Sequence, residues 1–236
     1  MKTPLLILAL AAASLTTAAA QTKPAPAAAQ TAPAGYQEML GATIQEVMST
    51  GDAALLKELA GKLERAATVA PQDWLPRYYQ SYALLIATFQ SKESGDVKDK
   101  QLDQAEAALQ QARQLGGDAS ELLVLQAYIY QARLGVAPMT RSMTYSGKVD
   151  EALAEAKKLN PANPRIYLVQ GNNLYFTPKM FGGGTEAAKP VYDEAKARYA
   201  AFKPATPNAP SWGERQLLGR LAAYQQPAGQ PQAATK

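Results

Sequence analysis

The chain has 236 residues, of which 47% are hydrophobic, and its 24 Lys and Arg against 20 Asp and Glu give a net charge of +4. This length and composition supply one sizeable core, and the near-balanced charge disfavours a dedicated nucleic-acid-binding protein. The sequence contains no Cys and no His. That excludes disulfides, thiolate or imidazole metal sites and every triad with a histidine base, so we predict no metal, no cofactor and no enzymatic activity.

The first twenty residues have the pattern of a secretory signal peptide. Lys2 precedes an apolar run from Leu5 to Ala13, and Ala18 to Ala20 form an A-x-A cleavage site ahead of Gln21. The run is shorter than the about 20 residues that cross a bilayer. We therefore predict that residues 1–20 are removed during export to the periplasm or the medium, without stable membrane insertion afterwards. An uncleaved N-terminal anchor is the alternative.

Two segments rich in Pro, Ala and Gln flank the predicted fold. Residues 21–34 and residues 225–236 hold few large apolar side chains and few charges. Such segments bury too little surface to offset the entropy of ordering. We predict a disordered tether and a disordered tail on either side of one folded domain at 35–224.

Within that domain, apolar and small residues recur at three- and four-residue spacing, which predicts helices. The helical segments are 36–49, 52–69, 74–90, 100–115, 120–134, 149–159, 164–176, 185–202 and 212–224. Glycine and proline punctuate the intervals, as at Pro71 and Gly116-Gly117, and we predict Ser120 and Thr185 as N-caps. No stretch alternates with period two, so the predicted fold class is all-α.

Small residues recur at one fixed spacing between successive helices. Each pair is 15 residues apart and spans the end of one helix and the middle of the next, where small side chains permit a close helix crossing. The pairs are Ala66 with Ser81, Ala112 with Ala127, and Ala156 with Gly171.

Two patterns of residue size accompany these pairs. In the first helices a bulky residue follows the small one three positions on: Ser81 with Leu84, Ala127 with Tyr130, and Gly171 with Leu174. The second helices read small, large, small: Ala105, Leu109 and Ala112; Ala188, Tyr192 and Ala195; and, with Val as the first residue, Val149, Leu153 and Ala156. With these patterns residues 36–203 resemble the tetratricopeptide repeat family, whose helical hairpins stack into a superhelix.

This resemblance implies a short right-handed α-solenoid closed by a C-terminal helix. Compared with the family, the links inside the three hairpins are longer by 12, 10 and 5 residues. The hairpin turns of a solenoid all point the same way, so we predict that these extended loops lie along one rim.

The family binds peptides on the concave wall formed by its first helices. The resemblance therefore implies that this exported protein is a non-enzymatic scaffold binding a protein or peptide partner. The predicted binding residues are Tyr78, Tyr82, Tyr128, Gln131, Arg165, Asn172 and Tyr175. Tyrosines provide the flat amphipathic area that recognition surfaces favour. Alternatively, these tyrosines pack between the helices as core.

Two predicted loops carry methionine and aromatic residues, at 139–145 (MTRSMTY) and 175–181 (YFTPKMF). We predict that the second tucks under the solenoid rim. The alternative function is that of a small-molecule or glycan binder using these two loops. The neighbouring Gly182-Gly183-Gly184 lacks the lysine of a phosphate-binding loop, so we predict a tight link with positive backbone angles.

Overall fold

The structure is a computed structural model and describes residues 32–225. The predicted signal peptide, most of the tether and nearly all of the tail lie outside these residues. Within them the secondary structure is entirely helical, which confirms the predicted fold class. The helices are α1 (Tyr36–Ser49), α2 (Ala53–Val69), α3 (Leu75–Gln90), α4 (Gly95–Gln114), α5 (Ala119–Val136), α6 (Pro138–Leu159), α7 (Pro164–Phe176), α8 (Thr185–Ala201) and α9 (Glu214–Ala223). A 3₁₀ turn at Lys179–Phe181 precedes α8.

Each helix packs against its neighbours in the chain, and helices α1, α3, α5 and α7 also pack on one another in that order. Helix α3 contacts both α1 and α5, and α5 contacts α7, while α4, α6 and α8 pack beside them. The core lies between these two sets of helices, and it contains residues from all nine described helices. The right-handed solenoid curvature stays a prediction.

Aspartate and asparagine side chains cap the described helices at three N-termini. Asp52 accepts a hydrogen bond from the Leu55 amide at 2.8 Å, and Asp118 accepts one from the Glu121 amide at 2.9 Å. Asn163 caps α7 in the same way. The capping oxygen satisfies an amide that has no partner inside the helix.

The predicted caps at Ser120 and Thr185 are wrong. Because Asp118 reaches the first turn of α5, Ser120 lies inside the helix, where its hydroxyl donates to the Ala156 carbonyl at 3.1 Å. Helix α8 begins at Thr185 itself, after Gly184 with its positive φ of 101°.

Helix α6 is longer than predicted. It begins at Pro138, so residues 139–145 form two helical turns rather than a loop. Proline suits the first turn of a helix, because that position needs no amide donor. Arg141 fixes these turns through two hydrogen bonds to Asp99, at 2.7 and 2.6 Å, and a third to the Arg133 carbonyl.

The small residues that carried the repeat prediction are all buried. At Gly171 the reason is visible, since an added Cβ would lie 2.5 Å from the ring of Tyr192 in α8. Only glycine admits that ring so close to the α7 backbone.

Candidate functional site

The C-terminal segment, residues 202–225, lies over the surface that was predicted as a groove. It inserts Trp212, whose side chain is 1% exposed, against two of the predicted binding residues. The indole stacks on Tyr82 at 4.8 Å and on Tyr128 at 5.9 Å between ring centroids. The segment thus occupies the space that a peptide was expected to fill.

A buried polar network continues beneath Trp212. Its indole nitrogen donates to the Tyr78 hydroxyl at 2.8 Å, which in turn donates to Glu121 at 3.0 Å. Arg165 donates to the same carboxylate from Nε and Nη2. Burial raises the pKa of Tyr78 well above its usual range, and this keeps the phenol protonated as a donor. Burial alone would lower the pKa of Arg165, but the charge of Glu121, the hydrogen bonds to it and two nearby tyrosines together outweigh burial and raise that pKa.

Asn172 is also buried, and its amide oxygen accepts a hydrogen bond from Tyr192 at 2.8 Å. Five predicted binding residues, Tyr78, Tyr82, Tyr128, Arg165 and Asn172, are therefore buried in the structure. The open groove is filled by the chain itself, which matches the alternative interpretation of the tyrosines as core. Partner binding there stays a prediction that requires the C-terminal segment to leave.

The two other predicted binding residues remain partly exposed. Gln131 donates from Nε2 to the Val169 carbonyl at 2.7 Å, which joins α5 to α7. Tyr175 lies at the end of α7, where its ring contacts Phe176 edge-on at 5.1 Å. These two residues lie where the first helices of two hairpins end.

Exposed apolar side chains gather at the same end of the hairpins. We use the term hairpin rim for the C-terminal ends of α3, α5 and α7, the N-terminal ends of α4, α6 and α8, and the links that join each of these pairs. Seven of the twelve exposed large hydrophobic residues in the described chain belong to it: Phe89, Val97, Met139, Met143, Phe176, Met180 and Phe181. Such a concentration is typical of an interaction surface.

The link at 175–181 does not tuck under the rim, so that prediction is wrong. Phe176, Met180 and Phe181 are 67%, 83% and 72% exposed. The backbone closes on itself instead, since the Gly184 amide donates to the Leu174 carbonyl at 2.8 Å. This compact turn leaves no interior space for the three side chains, which therefore project outwards.

The glycines of this link serve the tight turn that the sequence predicted. Gly182 and Gly184 have φ values of 82° and 101°, and a Cβ at Gly183 would lie 2.3 Å from the Thr177 carbonyl oxygen. All three positions thus favour glycine for steric reasons, and the tight-link interpretation is confirmed.

Helix α9 brings a cation to this part of the rim. The Arg220 guanidinium carbon lies 5.1 Å from the ring centroids of both Tyr175 and Phe176. At these distances the aromatic rings attract the charge and help to hold the side chain in place.

One turn earlier, α9 joins a second pair of aromatic residues. Gln216 donates to the Tyr128 hydroxyl at 2.7 Å, and the Tyr128 ring lies 5.1 Å from that of Phe89, which is 43% exposed. We use the term aromatic edge for the surface formed by Phe89, Tyr175, Phe176, Gln216 and Arg220, together with the buried Tyr128 ring that supports it. Its exposed parts are apolar, and Arg220 gives it a positive charge.

A cavity of about 200 Å³ lies beside Phe89. Its lining residues are Thr88, Phe89, Lys98, Ala132, Gly135 and Val136. Pockets that enclose drug-sized ligands have volumes of about 300–1,000 Å³. This cavity is therefore too small to enclose a drug-sized ligand.

Sequence reasoning placed Tyr128, Tyr175 and the 175–181 link among its candidates but missed Phe89, Gln216 and Arg220. The four-residue spacing of Gln216 and Arg220 puts them on one face of the closing helix, a signal that was available in the sequence.

No group of three or more potential metal-binding side chains occurs within residues 32–225. In the same part of the chain, no helix has the length and apolar character required to cross a membrane.

Among solved structures, the chain is similar to the HusA haemophore from Porphyromonas gingivalis, with a TM-score of 0.72 and 33% sequence identity. The match covers 84% of this chain and 100% of the haemophore. The chain belongs to the HusA haemophore family. No family model and no curated protein sequence matches it, so the tetratricopeptide resemblance stays a prediction. For this member of the HusA family, the aromatic edge and the adjoining hairpin rim are the best candidate site.

Proposed function

We propose that the protein is a non-enzymatic haem carrier that holds haem on the aromatic edge. The observation that carries this proposal is the 33% identity to a haemophore, a haem-carrying protein by its name, over that protein's full length. It supports the small-molecule alternative, which assigned binding to the methionine- and aromatic-bearing segments, rather than the partner-binding scaffold. Export belongs to the proposal because of the signal-peptide pattern in residues 1–20.

The chemistry of the aromatic edge fits this ligand. Haem combines a flat, largely apolar ring with two carboxylate side chains. Phe176 and Phe89 expose aromatic surface, Met180 adds a polarizable thioether nearby in the chain, and Arg220 supplies a charge opposite to that of the carboxylates. Flat ligands gain contact area and favourable offset stacking on such rings.

The residue inventory limits how iron would be held. Because the chain has no His and no Cys, the side-chain donors available to haem iron are the methionine thioether, the tyrosine phenolate, the lysine amine and the carboxylates of Asp and Glu. Burial raises the pKa of Tyr128, which disfavours its phenolate. Met180 is exposed and titrates no proton, so it is the donor next to the aromatic edge that we favour.

The proposal is tested by titrating the chain without residues 1–20 with ferric haem and following the change in haem absorbance. We expect saturable binding, weakened about tenfold or more in the double variant Phe176→Ala, Met180→Ala. Bound haem would cover these two exposed apolar side chains, and complete burial of one such side chain is worth about 1.5–3 kcal/mol. The double variant loses this contact area. The variant should stay folded, because both side chains project from the surface.

Leu159→Ala is the matched control, since Leu159 is 58% exposed but lies at the opposite end of α6 from the rim. Its haem affinity should equal that of the unmodified chain. The absence of saturable binding by the unmodified chain would overturn the function. Normal affinity in the double variant would overturn the site.

A further inference from the structure

We infer that Arg220 is the receptor for the carboxylate groups of the ligand, so that the aromatic edge selects flat apolar molecules bearing acidic groups. This inference rests on the proposed function and adds the chemistry by which the site recognises its ligand. Three features of Arg220 carry it: its fixed position, its lack of an acidic partner, and its place beside exposed apolar surface.

The position of Arg220 is fixed by the anchoring of α9. Leu217 on this helix is fully buried, and Gln216 is hydrogen-bonded to Tyr128. At the end of the helix, the Tyr224 hydroxyl donates to the Thr185 carbonyl at 2.6 Å. With the helix held at both places, the contacts of Arg220 with Tyr175 and Phe176 leave the guanidinium little freedom.

No acidic side chain within residues 32–225 neutralises the charge of Arg220. No carboxylate of the described chain lies within 4.0 Å of it, and its guanidinium donates no hydrogen bond to a described residue. All 20 Asp and Glu residues fall between positions 38 and 214, inside the described part. Five other arginines do pair with carboxylates: Arg77, Arg133, Arg141, Arg165 and Arg198.

A half-buried arginine without an acidic partner has unused hydrogen-bonding capacity. Its planar guanidinium carries five N–H donors arranged to bind a carboxylate through two parallel hydrogen bonds. Such charge-assisted bonds are stronger at a partly desolvated site than in open water. A ligand carboxylate at Arg220 would complete an ion pair that the folded chain leaves open.

The place of Arg220 sets the orientation of the ligand. Phe176, 67% exposed, lies directly beside the guanidinium. An apolar ring on Phe176 therefore brings an acidic group at its margin within reach of Arg220. Flat ligands whose acidic groups are esterified keep the ring contact but lose the ion pair.

The test compares ferric haem with its dimethyl ester, which removes both carboxylate charges and leaves the ring unchanged. Affinities are measured for the unmodified chain, for Arg220→Gln and for Arg215→Gln. Arg215 is the matched control, because it lies on the same helix, carries the same charge and is exposed. Thermal unfolding of each variant confirms that it is folded.

We expect the unmodified chain and Arg215→Gln to bind haem about tenfold more tightly than the ester, the effect of one charge-assisted ion pair. Arg220→Gln should bind both ligands alike, with the affinity for the ester close to that of the unmodified chain. Equal affinity of the unmodified chain for haem and ester would overturn the inference while leaving haem binding intact. A preference for haem that survives in Arg220→Gln would also overturn it. Failure to bind either ligand would instead overturn the proposed function and the inference with it.

Discussion

Glu121 and Arg165 form an ion pair in the interior, where their side chains are 8% and 1% exposed. Removing two charges from water is costly, and the pair is tolerated because additional donors satisfy the carboxylate. Tyr78 and Asn163 supply them, each through one hydrogen bond to Glu121. Four residues from three helices and one cap thereby form a single network under Trp212.

Glu121→Gln should lower the free energy of unfolding by about 3–5 kcal/mol, because it leaves the Arg165 charge buried without its counter-ion. Urea denaturation monitored by circular dichroism measures the change. Asp193→Asn is the control, since it breaks an exposed pair with Lys189 and should cost no more than about 1 kcal/mol. If both variants lowered the free energy of unfolding equally, the buried charge of Arg165 would not depend on Glu121 as its counter-ion.

The network also shows which part of the site the sequence could not reveal. Arg165 was predicted as a groove residue because its position in the repeat pattern faces the concave wall. Its true partner, Glu121, is 44 residues away in the chain, and the indole that covers the network is 134 residues from Tyr78. Contacts at such separations leave no periodic trace in a single sequence.

At the scale of elements, the helices themselves were predictable, because helical periodicity is a local property of the chain. Helices α1 and α7 begin and end at the predicted residues. The first turns of α6 were missed because their polar and exposed residues show no apolar stripe. What holds them is the tertiary ion pair between Arg141 and Asp99, across 42 residues.

This ion pair makes the stability of α6 depend on pH. Hydrogen bonds from Arg141 lower the pKa of Asp99, so the pair stabilises the fold above the unfolded carboxyl pKa of about 3.9. Its contribution is lost as the pH falls through the lowered, folded pKa. Asp99→Asn should therefore cost about 1 kcal/mol at pH 7, and this difference should shrink below about pH 4.

Denaturant unfolding at a series of pH values measures the effect of Asp99→Asn. Glu155→Gln is the control, because Glu155 lies on α6, as Arg141 does, and pairs with Lys158 in an exposed position. It should change stability by less than about 0.5 kcal/mol at every pH. A cost for Asp99→Asn that stays constant down to pH 2 would contradict the ion-pair explanation.

At the scale of the whole molecule, the C-terminal segment decides which surface is available to a ligand. By covering the first helices it turns the predicted groove into core, and through Gln216 and Arg220 it contributes two members of the aromatic edge. The exposed aromatic surface thereby lies at the hairpin rim. The sequence indicated the methionine and aromatic residues of that rim, but not the helix that completes the aromatic edge.

The proposed location of haem is tested most directly by amide hydrogen exchange of the chain with and without ferric haem. We predict slower exchange in the 175–181 link and along α9, with unchanged exchange in α1 and α2, which do not contribute to the aromatic edge. Protection confined to the first turns of α6 around Met139 and Met143, or no protection anywhere in the presence of saturating haem, would contradict this prediction.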